Sequence, residues 1–254
     1  MKTISYDNLE NELIDFIKSK DIDVLYLASS NFAQFFNADF PNIVISTLKK
    51  IMKDKTLIVP TFSFDFCDTG TYSVLNSSTF CGGVSQLFLK EKDVERTMFP
   101  PMHNVAVWGK LKPVLTQKNY TSSFGQNSLF EDLNSYKTAV LLIDCSFDDG
   151  VPFVHCLEDK YQSSYRYEKV FNGKIIDKNN NVVPYEFKRQ MRKKGTVLSA
   201  EKLGKMFYNT KYVQTKNYQM SKFVLFNLQD FYKFFDPIFK QNPNIMEVKD
   251  GNNI

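Results

Sequence analysis

The chain has 254 residues, 43% hydrophobic and 24% charged, which is ordinary for a globular protein and long enough for a sizeable core. Thirty-two basic and 28 acidic residues leave a net charge of +4. That is too balanced to argue for nucleic acid, though mild positivity suits an anionic small ligand. No apolar run reaches bilayer length, and the opening residues are too polar for a secretory signal.

Apolar residues at Leu9, Leu13, Ile14, Phe16 and Ile17 recur at helical spacing, with Asp7 a natural N-cap. Residues 23–28 read as a buried strand ending in Ser29-Ser30-Asn31, and residues 43–52 as an amphipathic helix. Residues 56–61 form a second strand that runs into a polar-aromatic loop at 62–70. Gly82-Gly83 opens a helix through Lys92, residues 104–109 form a strand, and 128–133 one or two helical turns. Residues 138–143 are the strongest buried strand of all. Strand and helix alternate, which predicts an α/β layered fold (α/β/α) around a mixed, partly parallel sheet.

After Gly173 the character changes. The sequence predicts a hairpin with an Asn-rich turn at 174–185, then a basic stretch, Lys188 to Lys194, that reads as a solvated face. A helix at 199–208, a strand at 223–228, a Phe-rich helix at 229–240 and a flexible tail from 246 follow. No repeat or linker divides the chain. It reads as one domain, with a core to about residue 172 and a smaller C-terminal lobe over about 173–245 that faces the substrate.

Four cysteines (Cys67, Cys81, Cys145, Cys156) have no paired spacing, so reduced cytoplasmic thiols are expected rather than disulfides or a zinc site. His155 and Glu158 lie three apart, so on a helix they share a face. Glu158 could then hold the imidazole while its other nitrogen takes a proton, or both could simply decorate a helix surface. Cys156 points about 100° away from His155 on the same helix, which leaves Cys145 the better thiol for a cysteine–histidine pair. Small hydroxyls close the early strands and loops: Ser29, Ser30, Thr61, Ser63, Ser78 and Thr79, the last two before Gly82. Such groups suit phosphate or amide ligands off the carboxyl ends of strands, and they also serve as helix caps. No Gly-x-Gly-x-x-Gly or Walker loop is present.

Five stretches in one order resemble the aminoglycoside 3-N-acetyltransferase (antibiotic N-acetyltransferase) family, which is unrelated to the GNAT acetyltransferases. They are Tyr26-Leu-Ala-Ser29-Ser30, Val59-Pro-Thr61-Phe-Ser63, Pro101-Met-His103-Asn-Val-Ala-Val-Trp-Gly109, Ser123-Phe-Gly125-Gln-Asn-Ser128-Leu-Phe130, and His155-Cys-Leu-Glu158. The resemblance implies acetyl-CoA or another short acyl-CoA as donor, a primary amine as acceptor, and no metal. It implies His155 as general base and Glu158 as its orienting carboxylate. Ser29, Ser30, Thr61 and Ser63 would line the coenzyme channel, with Ser78, Thr79 and Gly82 matching more loosely. Asp65 and His103 would meet the amino substrate.

Two departures stand out: Ala28 where many members carry His, and Pro152 where Thr is usual. Tyr165 to Gly173 is most similar to members found in bacterial surface-polysaccharide pathways. That similarity implies an amino sugar acceptor, nucleotide-linked, for lipopolysaccharide or capsule. Aminoglycoside resistance and a non-catalytic coenzyme- or sugar-binding relative are the competing readings.

Overall fold

The computed structural model describes residues 8–18, 20–30 and 39–248. Three short apolar runs make the middle of the main sheet. β1 (Val24–Ser29) lies parallel to β2 (Thr56–Pro60) and to β6 (Thr138–Ile143), with Leu25 between Leu57 and Ala139. Beyond β2 come β5 (Val105–Gly109) and β4 (Glu95–Arg96), both pairings antiparallel. Beyond β6 come β10 (Ser221–Asn227) and β9 (Val213–Tyr218), again antiparallel. The order is β4-β5-β2-β1-β6-β10-β9, a mixed sheet with a parallel centre.

Side-chain alternation along these strands builds two cores. Leu25, Leu27, Leu57, Val59, Leu141, Ile143 and Leu225 face the first core. There they meet the apolar faces of α1 (Leu9–Ile17), α2 (Asp39–Ile51) and α4 (Gly83–Phe88). Tyr26, Ile58, Val140, Leu142, Val224 and Phe226 face the other. That side is covered by α6 (Leu129–Asp132), α7 (Phe147–Gly150), α8 (Val154–Lys160), α9 (Glu201–Tyr208) and α10 (Leu228–Gln241). Much of the phenylalanine excess is spent here. Phe153 packs edge-on to Tyr26 at 5.3 Å and Phe207 edge-on to Phe226 at 5.2 Å. Each fully buried ring contributes roughly 1.5–3 kcal/mol. The expected α/β/α layering is the observed one.

The hairpin is far longer than its Asn-rich turn suggested. β7 (Arg166–Ile176) pairs with β8 (Val182–Arg192) from Arg166 opposite Arg192 to Ile176 opposite Val182. β3 (Thr71–Ser73) adds a parallel third strand, and Phe66, Tyr72, Met102, Ile175 and Phe187 form a separate small core beneath it. The basic stretch from 188 is therefore mostly strand. Gly173 passes so close to Gly70 that a Cβ there would lie 2.2 Å from the Gly70 carbonyl oxygen, which restricts the position to glycine.

The rest of the C-terminal segment does not stay with the hairpin, because β9, β10 and α10 return to complete the main layers. Within the loop expected at 62–70, a short helix, α3 (Asp65–Thr69), is closed by left-handed Gly70. α5 (Lys112–Leu115) is a single turn. The tail expected to be flexible from 246 is anchored at its start. Met246 is buried, and residues 246–248 pair with Val197 to Ser199 through backbone hydrogen bonds. Asp7, Asn31 and residues 249–254 lie outside the described residues.

Candidate active site

α8 begins where the chain rises from β6 through α7. The turn preceding it is made by Pro152, whose carbonyl accepts the His155 N–H at 3.0 Å. Proline costs nothing there, since an N–H at a helix start has no intrahelical partner. One turn on, Glu158 is 2% exposed and surrounded by donors. His155 Nδ1 lies 2.6 Å from Oε2, Arg166 Nη2 donates to the same oxygen at 2.7 Å, and the Tyr165 hydroxyl donates to Oε1 at 2.6 Å.

Burial alone would raise the Glu158 carboxyl. The hydrogen bond and charge of His155, the Arg166 guanidinium and the Tyr165 hydroxyl outweigh it and hold the group at about 2. An ionised Glu158 fixes the proton of His155 on Nδ1 and leaves Nε2 as the acceptor. Arg166 Nη2, 3.3 Å from Nδ1, is then a neighbour and not a hydrogen-bond partner, because both atoms carry hydrogen. With a side chain 31% exposed, His155 can present Nε2 to a ligand.

Tyr165 and Arg166 are the partners that spacing did not reveal. They sit seven and eight residues beyond Glu158, at the entry to β7, where only the hairpin's geometry brings them back.

The second histidine converges on the same place. His103 packs against Phe124 at 4.5 Å between ring centres, and Phe124 in turn against His155 at 4.8 Å. Its Nδ1 is 2.7 Å from Ser123 Oγ, and the residue is 7% exposed. Burial, with the charges of Arg189, His155 and Arg166, holds its pKa well below the ordinary imidazole value, so it is neutral at pH 7.

The expected coenzyme-channel residues divide. Ser29, Ser30 and Gly82 line a cavity of about 380 Å³ at the carboxyl ends of β1 and β2, together with Phe62, Phe80 and Cys145. Ser30 Oγ donates to the Asp144 carbonyl at 2.7 Å. The space over Gly82 and Gly83 is open. Thr61 and Ser63, expected beside the same channel, are both fully buried. Thr61 donates to Asn104 Oδ1 at 2.8 Å, and Ser63 Oγ has no partner among the described residues. Neither side chain is among those lining this cavity.

Ser78 and Thr79 hold the loop in front of it. The Ser78 carbonyl accepts from Arg96, and Thr79 Oγ1 accepts the Cys81 N–H. Arg96, 4% exposed, organises this region. Its guanidinium binds the carbonyls of Thr61, Ser77 and Ser78 and the Asn104 amide oxygen. Asp65 opens α3 and lines neither this cavity nor the one beside Arg166.

The thiols are poor nucleophiles. Burial pushes Cys145 up to about 12 and Cys156 up to about 11, so both are protonated at neutral pH. All four cysteines are free. Among the described residues no group of three or more His, Cys, Asp or Glu side chains could hold a metal ion, and no helix is long and apolar enough to cross a membrane.

Comparison with curated protein sequences finds no match. Several solved structures share the fold. AAC-VIa with sisomicin bound aligns at a TM-score of 0.76 and 12% identity, covering 94% of this chain and 99% of that one. The YokD protein from Bacillus subtilis aligns at 0.72 and 19%, covering 96% and 95%. AAC-IIIb in binary complex with CoASH aligns at 0.73 and 11%, covering 91% and 96%. The model of the aminoglycoside 3-N-acetyltransferase family matches residues 36–240. The chain belongs to the aminoglycoside 3-N-acetyltransferase family.

Proposed function

We propose that the protein transfers an acyl group, most simply acetyl, from coenzyme A to a primary amine of a nucleotide-linked amino sugar. The observation that carries this reading is the partly exposed His155, whose Nδ1 proton is pinned by a buried, ionised Glu158. That arrangement leaves the other imidazole nitrogen as an acceptor in reach of solvent. The Ser29–Ser30–Gly82 cavity fits an extended thioester arm. It lies off the carboxyl ends of parallel strands, has apolar walls at Phe62 and Phe80, and is open over the start of α4.

In this mechanism the amine nitrogen attacks the thioester carbonyl while His155 Nε2 takes its proton. A C–N bond forms, the C–S bond breaks, and the proton passes from Nε2 to the departing thiolate. Glu158 stabilises the imidazolium formed on the way, and Tyr165 and Arg166 keep Glu158 ionised and aimed. Protonated Cys145 and Cys156 leave no support for a covalent acyl-enzyme.

A second reading has its own support: an aminoglycoside as acceptor, as the family's description and the sisomicin bound to AAC-VIa suggest. Thiol release from acetyl-CoA decides between them. The first reading expects turnover with amino-sugar nucleotides and none with kanamycin-like polyamines, and the reverse result establishes the second. No thiol release and no thermal shift with any acyl-CoA would remove both.

A further inference from the structure

Between the hairpin and the loop at 121–126 lies a cavity of about 660 Å³ that includes Glu158 and Arg166 in its wall. Its charges are unequally partnered. Arg166 is paired with Glu158 at 2.7 Å and Lys188 with Glu168 at 3.4 Å. Asp159, the remaining carboxylate, is raised by burial while bonded to the Gln190 side chain. Two cations in the wall, Arg189 and Lys193, form no salt bridge among the described residues, although the charge of Asp68 reaches Arg189.

Arg189 is the unusual one. It follows Phe187 by two along β8, so it continues the face that packs on the small core. Its guanidinium lies 5.9 Å over the Phe64 ring and beside the Cys67 thiol. Burial and the charge of Arg166 pull its pKa below the ordinary value. A partly desolvated guanidinium that no carboxylate contacts, with Asp68 acting only through its charge, is costly, and an oxyanion offsets that cost in bidentate geometry.

Its position relative to the chemistry is also defined. Phe64 lies 6.5 Å from His103, His103 is 4.5 Å from Phe124, and Phe124 is 4.8 Å from His155. One continuous line of rings, buried at His103 and Phe124, connects Arg189 to the candidate base behind the cavity wall.

Resting on the acceptor reading above, we propose that Arg189, with Lys193 in the same cavity wall, receives the diphosphate of the acceptor and thereby sets the acceptor's amine at His155. Arg189 is then a specificity-determining residue, one that favours a phosphorylated amine over a polycation by attraction and repulsion alike.

Calorimetric titration of uridine diphosphate and of inorganic pyrophosphate tests this without turnover. Coenzyme A is kept at saturation, so that its own nucleotide site cannot take up the probe. Wild type is expected to bind both. Arg189→Gln should weaken both by about tenfold or more, and Arg189→Lys, which keeps the charge without the fork, by less. Circular dichroism checks that both variants are folded, and the lysine variant serves if the glutamine one is not. The proposal is overturned if wild type binds neither probe or if Arg189→Gln binds as well as wild type. Failure of acyl transfer would show separately, as bound diphosphate with no thiol released from any amino-sugar nucleotide.

Discussion

The two histidines stand on either side of one phenylalanine, yet their surroundings make them opposites. His155 is partly exposed and holds a buried, ionised carboxylate through Nδ1. His103 is 7% exposed, holds a neutral serine hydroxyl, and lies near the positive charges of Arg166 and Arg189. The first environment welcomes an imidazolium and the second forbids one. A titratable ring near a reaction centre is therefore not automatically its base. What decides is whether the partner can carry the opposite charge.

The largest expected effect is at His155. If it takes the amine's proton, His155→Ala should lower kcat by roughly 10²–10⁴ with the melting temperature nearly unchanged, whereas His103→Asn should lower it by less than about tenfold. Comparable losses at both positions, measured by thiol release, would erase the distinction. Next is Glu158→Gln, which leaves Arg166 without its counter-ion and His155 without its orienting charge. A fall in both kcat and melting temperature is expected, the second because removing one partner of a buried pair typically costs about 3–5 kcal/mol.

The pH dependence of stability separates the two rings more finely. The folded Glu158 carboxyl titrates at about 2 instead of 4.5, so it contributes stability above pH 4.5 that is lost as pH falls through about 2. His103 is depressed below its ordinary 6.5, so protonation in the unfolded chain begins to drain stability just under pH 6.5. Denaturant titrations against pH should show two windows of loss. His103→Asn should flatten the upper window and Glu158→Gln the lower. The smallest effect is at Tyr165→Phe, which removes one hydroxyl donor to a charged oxygen and should cost about 1.5–3 kcal/mol of stability, with a modest change in rate.

Much of this was legible in the sequence, and the limits have physical causes. The buried strands at 24–29, 56–60 and 138–143 announce themselves because both faces are covered and all but a terminal Ser29, Thr56 or Thr138 are apolar or aromatic. β7 and β8 do not, because only Ile175 and Phe187 in them are buried and charged residues interrupt the apolar ones, so no alternation marks Arg166 to Lys169 or Lys188 to Arg192 as strand. β9 was missed for the same reason. His155 and Glu158 could be paired from helical spacing alone, but Tyr165, Arg166 and Arg189 arrive from a hairpin whose register no local pattern states. Thr61 and Ser63 looked like channel residues because hydroxyls at strand ends often are. The structure turns both into the interior, one of them to satisfy Asn104.

The most direct test of the account is a pH–rate profile of acetyl transfer to an amino-sugar nucleotide by wild type and His155→Ala, with coenzyme A affinity measured in parallel. The account predicts a rate that rises through a single ionisation in the wild type. In the variant the ionisation is absent, the rate is at least about 100-fold lower and coenzyme A affinity is unchanged. A variant that keeps the same profile within about tenfold would contradict it.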